Sequence, residues 1–335
     1  MLLKSFLLFL TLPITMTTPS LVSPSTSTVE MFYHQSAKAY GIAWSWLAAL
    51  DMYSKTTAKR TRHISSQSSL PKGFTLSPYA WQGIANPIQN DHDPKTIALF
   101  SGYGKDVDKD GLANPASEAD RIASLAHWLR HQGTSNTGVR RVLWDYYQDD
   151  LIVERITGFE SVIHHFNRIS LTERAFPVIK RASYSYRDTW GDGRSFGGRR
   201  MHEGTDIFAP YGTPVLSACY GYVDLIGWNR LGGWRIGLRS VDNHYFYYAH
   251  LSSFAKGIRA KTIVQPGQVI GYVGSSGYGR PGTSGKFPPH LHFGIYHDTG
   301  VHEWAFDPYP SLKRWEKKRQ IVYEPSWRQP KRPVT

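Results

Sequence analysis

The stretch FPPHLHFGIYH, residues 287–297, sets two imidazoles one residue apart within an apolar run. Pro288, Pro289 and Gly294 argue against a helix there. In a strand, alternate side chains share a face, so His290 and His292 project together while Leu291 and Phe293 point the other way. Two imidazoles on one face either pack inertly or form half of a metal site. Two further segments bear on the choice. MHEGTDIFAPYGTPV places His202 four residues before Asp206, with Gly204 between them in what reads as a tight or extended loop. YFYYAHL reads as a strand ending in His250. A catalytic zinc takes three protein ligands from histidine and carboxylate and keeps a fourth position open. His202, Asp206 and one histidine of the pair supply that set. His250 and the other histidine then remain for proton chemistry.

The elements that must hold these residues differ along the chain. Of 335 residues, 41% are hydrophobic, enough for two domains with their own cores. MLLKSFLLFLTLPITM and the Thr/Ser/Pro-rich stretch behind it read as a secretory signal and linker over 1–30, with membrane anchoring as the outcome if it is not cleaved. Residues 31–168 read as helical: Ile42, Trp46, Leu47, Leu50 and Tyr53 recur at helical spacing, and Ser117 opens SEADRIASLAHWLRHQ as an N-cap. GVRRVLWDYYQDDLIVERITGFESVIHHF reads as one or two further helices. Beyond about residue 175, short β-rich runs such as YGYVDLIGW, WRIGLRSV and QVIGYVG alternate with turn residues, and this texture defines a β domain over 176–312. A basic tail, 313–335, closes the chain.

Charge and cysteine content narrow the setting. The formal charge of +13 suits an anionic partner, and the export signal favours a wall polymer or membrane surface over nucleic acid, for which there is no motif. Cys219 is the single cysteine, so no intramolecular disulfide can form. The glycine run GYVGSSGYG lacks the spacing of a phosphate-binding loop and reads as turns. DVDKDG starts like a calcium loop, with Asp106, Asp108 and Asp110 at alternate positions. Ser117 stands where that loop needs a glutamate, so a Ca2+ site and a solvated acidic turn are both open readings.

Taken in order, HEGTDIFAPYGTPV, YGYVDLIGW, YYAHL, VQPGQVIGYVGSSG and HLHFGIY resemble the motifs of the M23 (lysostaphin/LytM-like) zinc endopeptidases over residues 176–310. The resemblance implies an antiparallel β-sheet domain with a groove that cuts peptide bonds of bacterial peptidoglycan, placing the protein outside the cytoplasm at the cell wall. It implies His202, Asp206 and His292 as Zn2+ ligands, with His250 and His290 as the catalytic pair. YGRPGTSGKFPP, ahead of His290, is longer than the usual approach in that family and borders the groove. The helical half resembles the lysozyme-like fold of lytic transglycosylases in YGIAWSWLAALDMYS, DVDKDGLANPASEADRIASLAHWLRHQG and VLWDYYQDDLIVERI. That resemblance places a catalytic glutamate where this chain has Ser54, with Asp51 the nearby carboxylate, so it implies a domain that binds glycan without cutting it. The expected architecture is therefore multidomain, a lysozyme-like helical domain followed by an antiparallel β peptidase domain. Two rival functions are an inactive wall-binding scaffold and a dual peptidase/transglycosylase.

Overall fold

The computed structural model describes residues 26–58, 74–195, 199–298 and 303–324. Residues 1–25 of the leader and 325–335 of the basic tail lie outside them. The helices are α1 (Thr26–Tyr40), α2 (Trp44–Ala58), α3 (Pro78–Gln82), α4 (Pro94–Leu99), α5 (Glu118–Gln132), α6 (Asn136–Tyr147), α7 (Asp150–Phe166) and, at the far end, α8 (Tyr309–Glu316). Between α7 and α8 lie β1 (Ser185–Tyr186), β2 (Gly193–Arg194), β3 (Arg200–Met201), β4 (Thr205–Phe208), β5 (Pro214–Leu216) and β6 (Gly221–Asn229). They are followed by β7 (Gly233–Ser240), β8 (His244–Phe254), β9 (Ile263–Val264), β10 (Val269–Val273), β11 (His290–Asp298) and β12 (Glu303–Phe306).

Local chemistry sets the helix ends. The Ser117 hydroxyl accepts from the Asp120 amide at the start of α5, and the Asp149 carboxylate accepts from the Leu151 and Ile152 amides at the start of α7. Gln148, in the left-handed region, divides α6 from α7, so the long apolar run forms two helices. The apolar run expected at 31–53 is likewise two helices, parted at Gly41. α1 starts at Thr26, inside the stretch expected to be linker.

The main sheet runs β1-β4-β11-β8-β7-β6-β9, with β12 beside the second half of β11 and β10 pairing with both β5 and the end of β8. Every named pairing is antiparallel, as expected for this half. One sheet face buries Leu291, Phe293, Ile295, Phe246, Tyr248, Ile236 and Leu238. Each such side chain contributes roughly 1.5–3 kcal/mol by leaving water. Leu312 and Trp315 of α8 belong to the same core, so the segment assigned to a basic tail from residue 313 begins inside a packed helix.

The helices form a second core, which Ile169 and Leu171 complete before Phe176 and Val178 enter the first. Tyr222 and Val241, from the sheet half, are buried in this helical core. An ion cluster ties the two halves together. Arg155 of α7 meets Asp298 at 2.7 Å and Glu303 at 3.4 Å, and Arg239 of β7 reaches the same two carboxylates.

Candidate metal centre

β11 presents alternate faces as its sequence requires. Leu291 and Phe293 are fully buried in the sheet core, and His290 and His292 lie on the opposite face. Register then delivers the other residues. β4 pairs Asp206 with His292, and β8 pairs Ala249, the neighbour of His250, with His292 from the other side. The chain reaches β4 through a bend at Gly204, which swings His202 back over Asp206. A Cβ at Gly204 would fall 2.6 Å from Cε1 of His292, so glycine is what allows the bend to press against that ring.

Three electron-rich atoms converge there. His202 Nε2 lies 2.9 Å from His292 Nδ1, and Asp206 Oδ1 lies 3.0 Å from each. His202 Nδ1 sits 2.7 Å from the carbonyl of Thr189. A carbonyl can only accept, so the ring's proton resides on Nδ1 and Nε2 offers a lone pair. A single proton on His292 Nδ1 can be given to Asp206 Oδ1 or to His202 Nε2, so one of these two acceptors is still left facing the other. Two imidazole nitrogens and a carboxylate oxygen within one another's reach are a zinc donor set, and these residues fit such an ion. The second oxygen of Asp206 is taken by the guanidinium of Arg194 on β2.

The remaining two histidines share the same orientation logic. His290 Nδ1 is 2.8 Å from the Pro288 carbonyl, and His250 Nδ1 is 2.8 Å from the Ser276 carbonyl, so each presents Nε2. His290 Nε2 lies 3.9 Å from Asp206 Oδ1, and the His250 and His290 rings are 4.8 Å apart. His250 holds φ = 62°, a conformation uncommon for a residue with a Cβ, fixed by its amide bonding to Gly232 O at 2.7 Å. Phe287 packs against both rings.

Burial dominates the electrostatics. It pushes His250 down to about 3, reinforced by the neighbouring His290 and His292, and it also lowers His290 and His292, with Asp206 opposing the shift in both. Burial acts to raise Asp206, but the neighbouring imidazoles of His202, His292 and His290 outweigh it and hold the carboxyl far below the ordinary range. His250, His290 and His292 are thus held towards the neutral form beside an ionised carboxylate. All five residues line one cleft of about 730 Å³, with Arg194, Arg200, Arg235 and Lys286, and with Tyr245, Tyr247, Tyr278 and Tyr296.

All five residues singled out from sequence thus come together, whereas the acidic turn does not assemble as expected. Asp106 and Asp108 group with Asp120 of α5, and Asp110 is outside the group. These carboxylates are used as turn and cap acceptors: Asp106 for the Lys109 and Gly111 amides, Asp110 for Leu112, Asp120 for Val107 and Asn114. Calcium gains no support from this arrangement. Arg194 and Thr189 escaped the sequence reading because nothing in GDGRSFGGRR or DTW marks them by type and spacing.

Comparison with known proteins bears on the same segment. The Peptidase family M23 profile matches residues 200–308. The L-Ala–D-Glu endopeptidase of Bacillus subtilis (strain 168) is 48% identical over 285 residues, which is 85% of this chain and 87% of that protein. An alignment of that length extends into the helical half. Lysostaphin of Staphylococcus simulans is 37% identical over 115 residues, 34% of this chain and 22% of its own. The solved catalytic domain of that lysostaphin aligns over 40% of this chain and 93% of the domain, with 32% identity and a TM-score of 0.32. On the profile match and the near full-length similarity, the chain belongs to peptidase family M23.

Proposed function

We propose that this protein is a zinc-dependent endopeptidase that acts outside the cytoplasm on the peptide part of bacterial peptidoglycan, at an L-Ala–D-Glu linkage. The observation that carries the reading is the triangle of His202, Asp206 and His292, with two further imidazole lone pairs facing the same cleft. The linkage is the one named for the Bacillus subtilis relative. An extracytoplasmic place agrees with the apolar start of the sequence; no helix of the described residues is long and apolar enough to cross a membrane. The charge of +13 suits adsorption to an anionic wall.

In this reading His202, Asp206 and His292 hold the ion, and Arg194 fixes the carboxylate by its second oxygen. When bound, zinc supplies a Lewis acid and shifts the ionisation of water towards neutral pH. His290 and His250, neutral and with Nε2 free, take a proton from the attacking water and return it to the leaving amine. Once protonated, the same imidazoles stabilise the negative charge developing on the scissile carbonyl. Phe287 keeps bulk water from both rings. The helical half belongs in the same proposal as a lysozyme-like holder of glycan. Ser54, in the position expected for a catalytic glutamate, is occupied by hydrogen bonds to Leu50 O and from Phe74 N.

The test is removal of metal by chelation, followed by readdition of zinc, with release of peptides from purified peptidoglycan as the readout. Activity should vanish and return with zinc; undiminished cleavage by protein shown to be metal-free sinks the proposal.

A further inference from the structure

Four basic side chains line the cleft. Arg194 pairs with Asp206, Arg200 donates to the Tyr278 hydroxyl, and Lys286 donates to the Tyr278 carbonyl. Arg235 is different. It stands half-buried on β7 with its Nε shielded from solvent and unpartnered; its side chain does hydrogen-bond to the neutral Tyr247 hydroxyl, but among the described residues no carboxylate pairs with it. Arg239, further along the same strand face, shows the contrast, for it meets Asp224, Asp298 and Glu303. A guanidinium withdrawn from water without a counter-charge is costly to hold.

The surroundings keep Arg235 aimed at the cleft. Tyr247 and Tyr245 of β8 lean across β7 on either side of it, into space that glycine leaves open. A Cβ on Gly232 would fall 2.4 Å from the Tyr247 hydroxyl, and one on Gly237 would fall 2.0 Å from that of Tyr245. Register fixes its distance from the metal centre. β11 pairs His292 with Ala249 of β8, and β8 pairs with β7 on either side of Arg235, at Leu251–Trp234 and Tyr248–Ile236. Arg235 is therefore two strands from His292, about 10 Å between Cα atoms at about 4.8 Å per strand. An extended substrate advances about 3.3–3.6 Å per residue, so the Arg235 Cα stands about three residues from the centre, and its long side chain, which lines the same cleft, spans that gap towards the residues beside the bond held there.

We propose that Arg235 is a specificity residue that binds the free carboxylate of an acidic residue adjoining the scissile bond. This rests on the endopeptidase reading above and deepens it. A glutamyl residue in a peptide commits one carboxyl to the next amide and leaves the other free. That free group is a planar, two-oxygen acceptor matched to a guanidinium fork. Amidation of it removes the charge and replaces an acceptor with a donor that faces Arg235. A site built to pair with a charged group discriminates strongly against the analogue lacking it.

The experiment uses the zinc-loaded full chain and two synthetic peptides. One contains L-Ala–D-Glu with its free carboxylate; the other is identical but amidated at that carboxylate. Wild-type protein should favour the acid by about tenfold or more in kcat/KM, and Arg235→Gln should bring the ratio to about one. Equal use of both peptides by wild type, or a preference that survives in folded Arg235→Gln, overturns the inference. If Arg235→Gln does not fold, Arg235→Lys is read instead. It keeps the charge without the fork and should lower the ratio several-fold, and a wild-type ratio overturns the inference. Cleavage of peptidoglycan but of neither peptide overturns the linkage and this inference with it. Loss of all three activities is the separate failure of the endopeptidase reading.

Discussion

Asp51 in the helical half and Asp206 in the sheet half are both buried carboxylates, and their company is opposite. Asp51 is met only by donors: the Tyr33 hydroxyl, the Arg121 guanidinium and Lys55 Nζ at 2.8 Å. Burial acts to raise its pKa, but Arg121 and Lys55 outweigh that and hold the carboxyl below its ordinary value. Asp206 has one such donor, Arg194, on one oxygen, and its other oxygen faces two imidazole nitrogens at 3.0 Å. One carboxylate is a finished internal ion cluster, complete without a ligand. The other belongs to a group of lone pairs that has room for a cation. Burial and charge alone do not separate them; the direction in which the neighbouring hydrogens point does.

The contrast is broken or sharpened most strongly at the histidines. His202→Ala and His292→Ala are expected to lose both bound zinc and all detectable peptidoglycan cleavage. His250→Ala and His290→Ala are expected to keep zinc and to lose roughly 10²–10⁴ in rate, the range for removing one proton carrier. Metal analysis beside cleavage for the four variants decides the roles. Zinc lost from His290→Ala and retained in His292→Ala would exchange the parts assigned to that pair.

At Asp51 the expected effect falls on stability. Asp51→Asn leaves Arg121 and Lys55 facing a neutral amide and should cost about 3–5 kcal/mol at neutral pH, as for other broken buried pairs. The pH dependence has a definite sign. A folded-state pKa below the unfolded value of about 3.9 contributes stability that is fully present above that value. It is lost as pH falls through the lowered folded-state pKa. Urea unfolding of wild type and variant should therefore differ most at pH 7 and converge below about pH 4. A constant gap across that range would show that Asp51 is not held ionised by its neighbours.

Much of the candidate site was legible because its signals are local. The alternation in HLHFGIY fixes which side chains share a face, and the HEGTD spacing around Gly204 brings its two ends together. Arg194 and Arg235 were illegible for the opposite reason. Arg194 reaches the site from the separate β2–β3 hairpin ahead of β4, and Arg235 only through register, with two pairings between β7 and β11. The sheet core was readable from its apolar alternation. α8 was hidden, because Lys313, Arg314, Lys317 and Lys318 mask the buried stripe of Leu312 and Trp315. In the acidic turn, sequence proximity pointed to Asp110, whereas the start of α5 brings Asp120 to the group.

The smallest effect is expected at Ser54, where the helical half is tested for chemistry of its own. Cutting a glycosidic bond needs a carboxylic acid to protonate the leaving oxygen, and a serine hydroxyl holds its proton too tightly. Ser54 is also committed: its hydroxyl donates to Leu50 O at 2.8 Å and accepts from the Phe74 amide at 2.7 Å, clamping α2 to the segment before α3. Asp51, one turn earlier, is held ionised and has no proton to give. Ser54→Ala should therefore cost about 1 kcal/mol of stability, the worth of such hydrogen bonds, and leave the sugar products of a wall digest unchanged. Digestion by the His292→Ala protein isolates the question, since no peptide cleavage then obscures it. Anhydro-sugar ends released by that protein would show a working acid in the helical half and erase the distinction between the two regions.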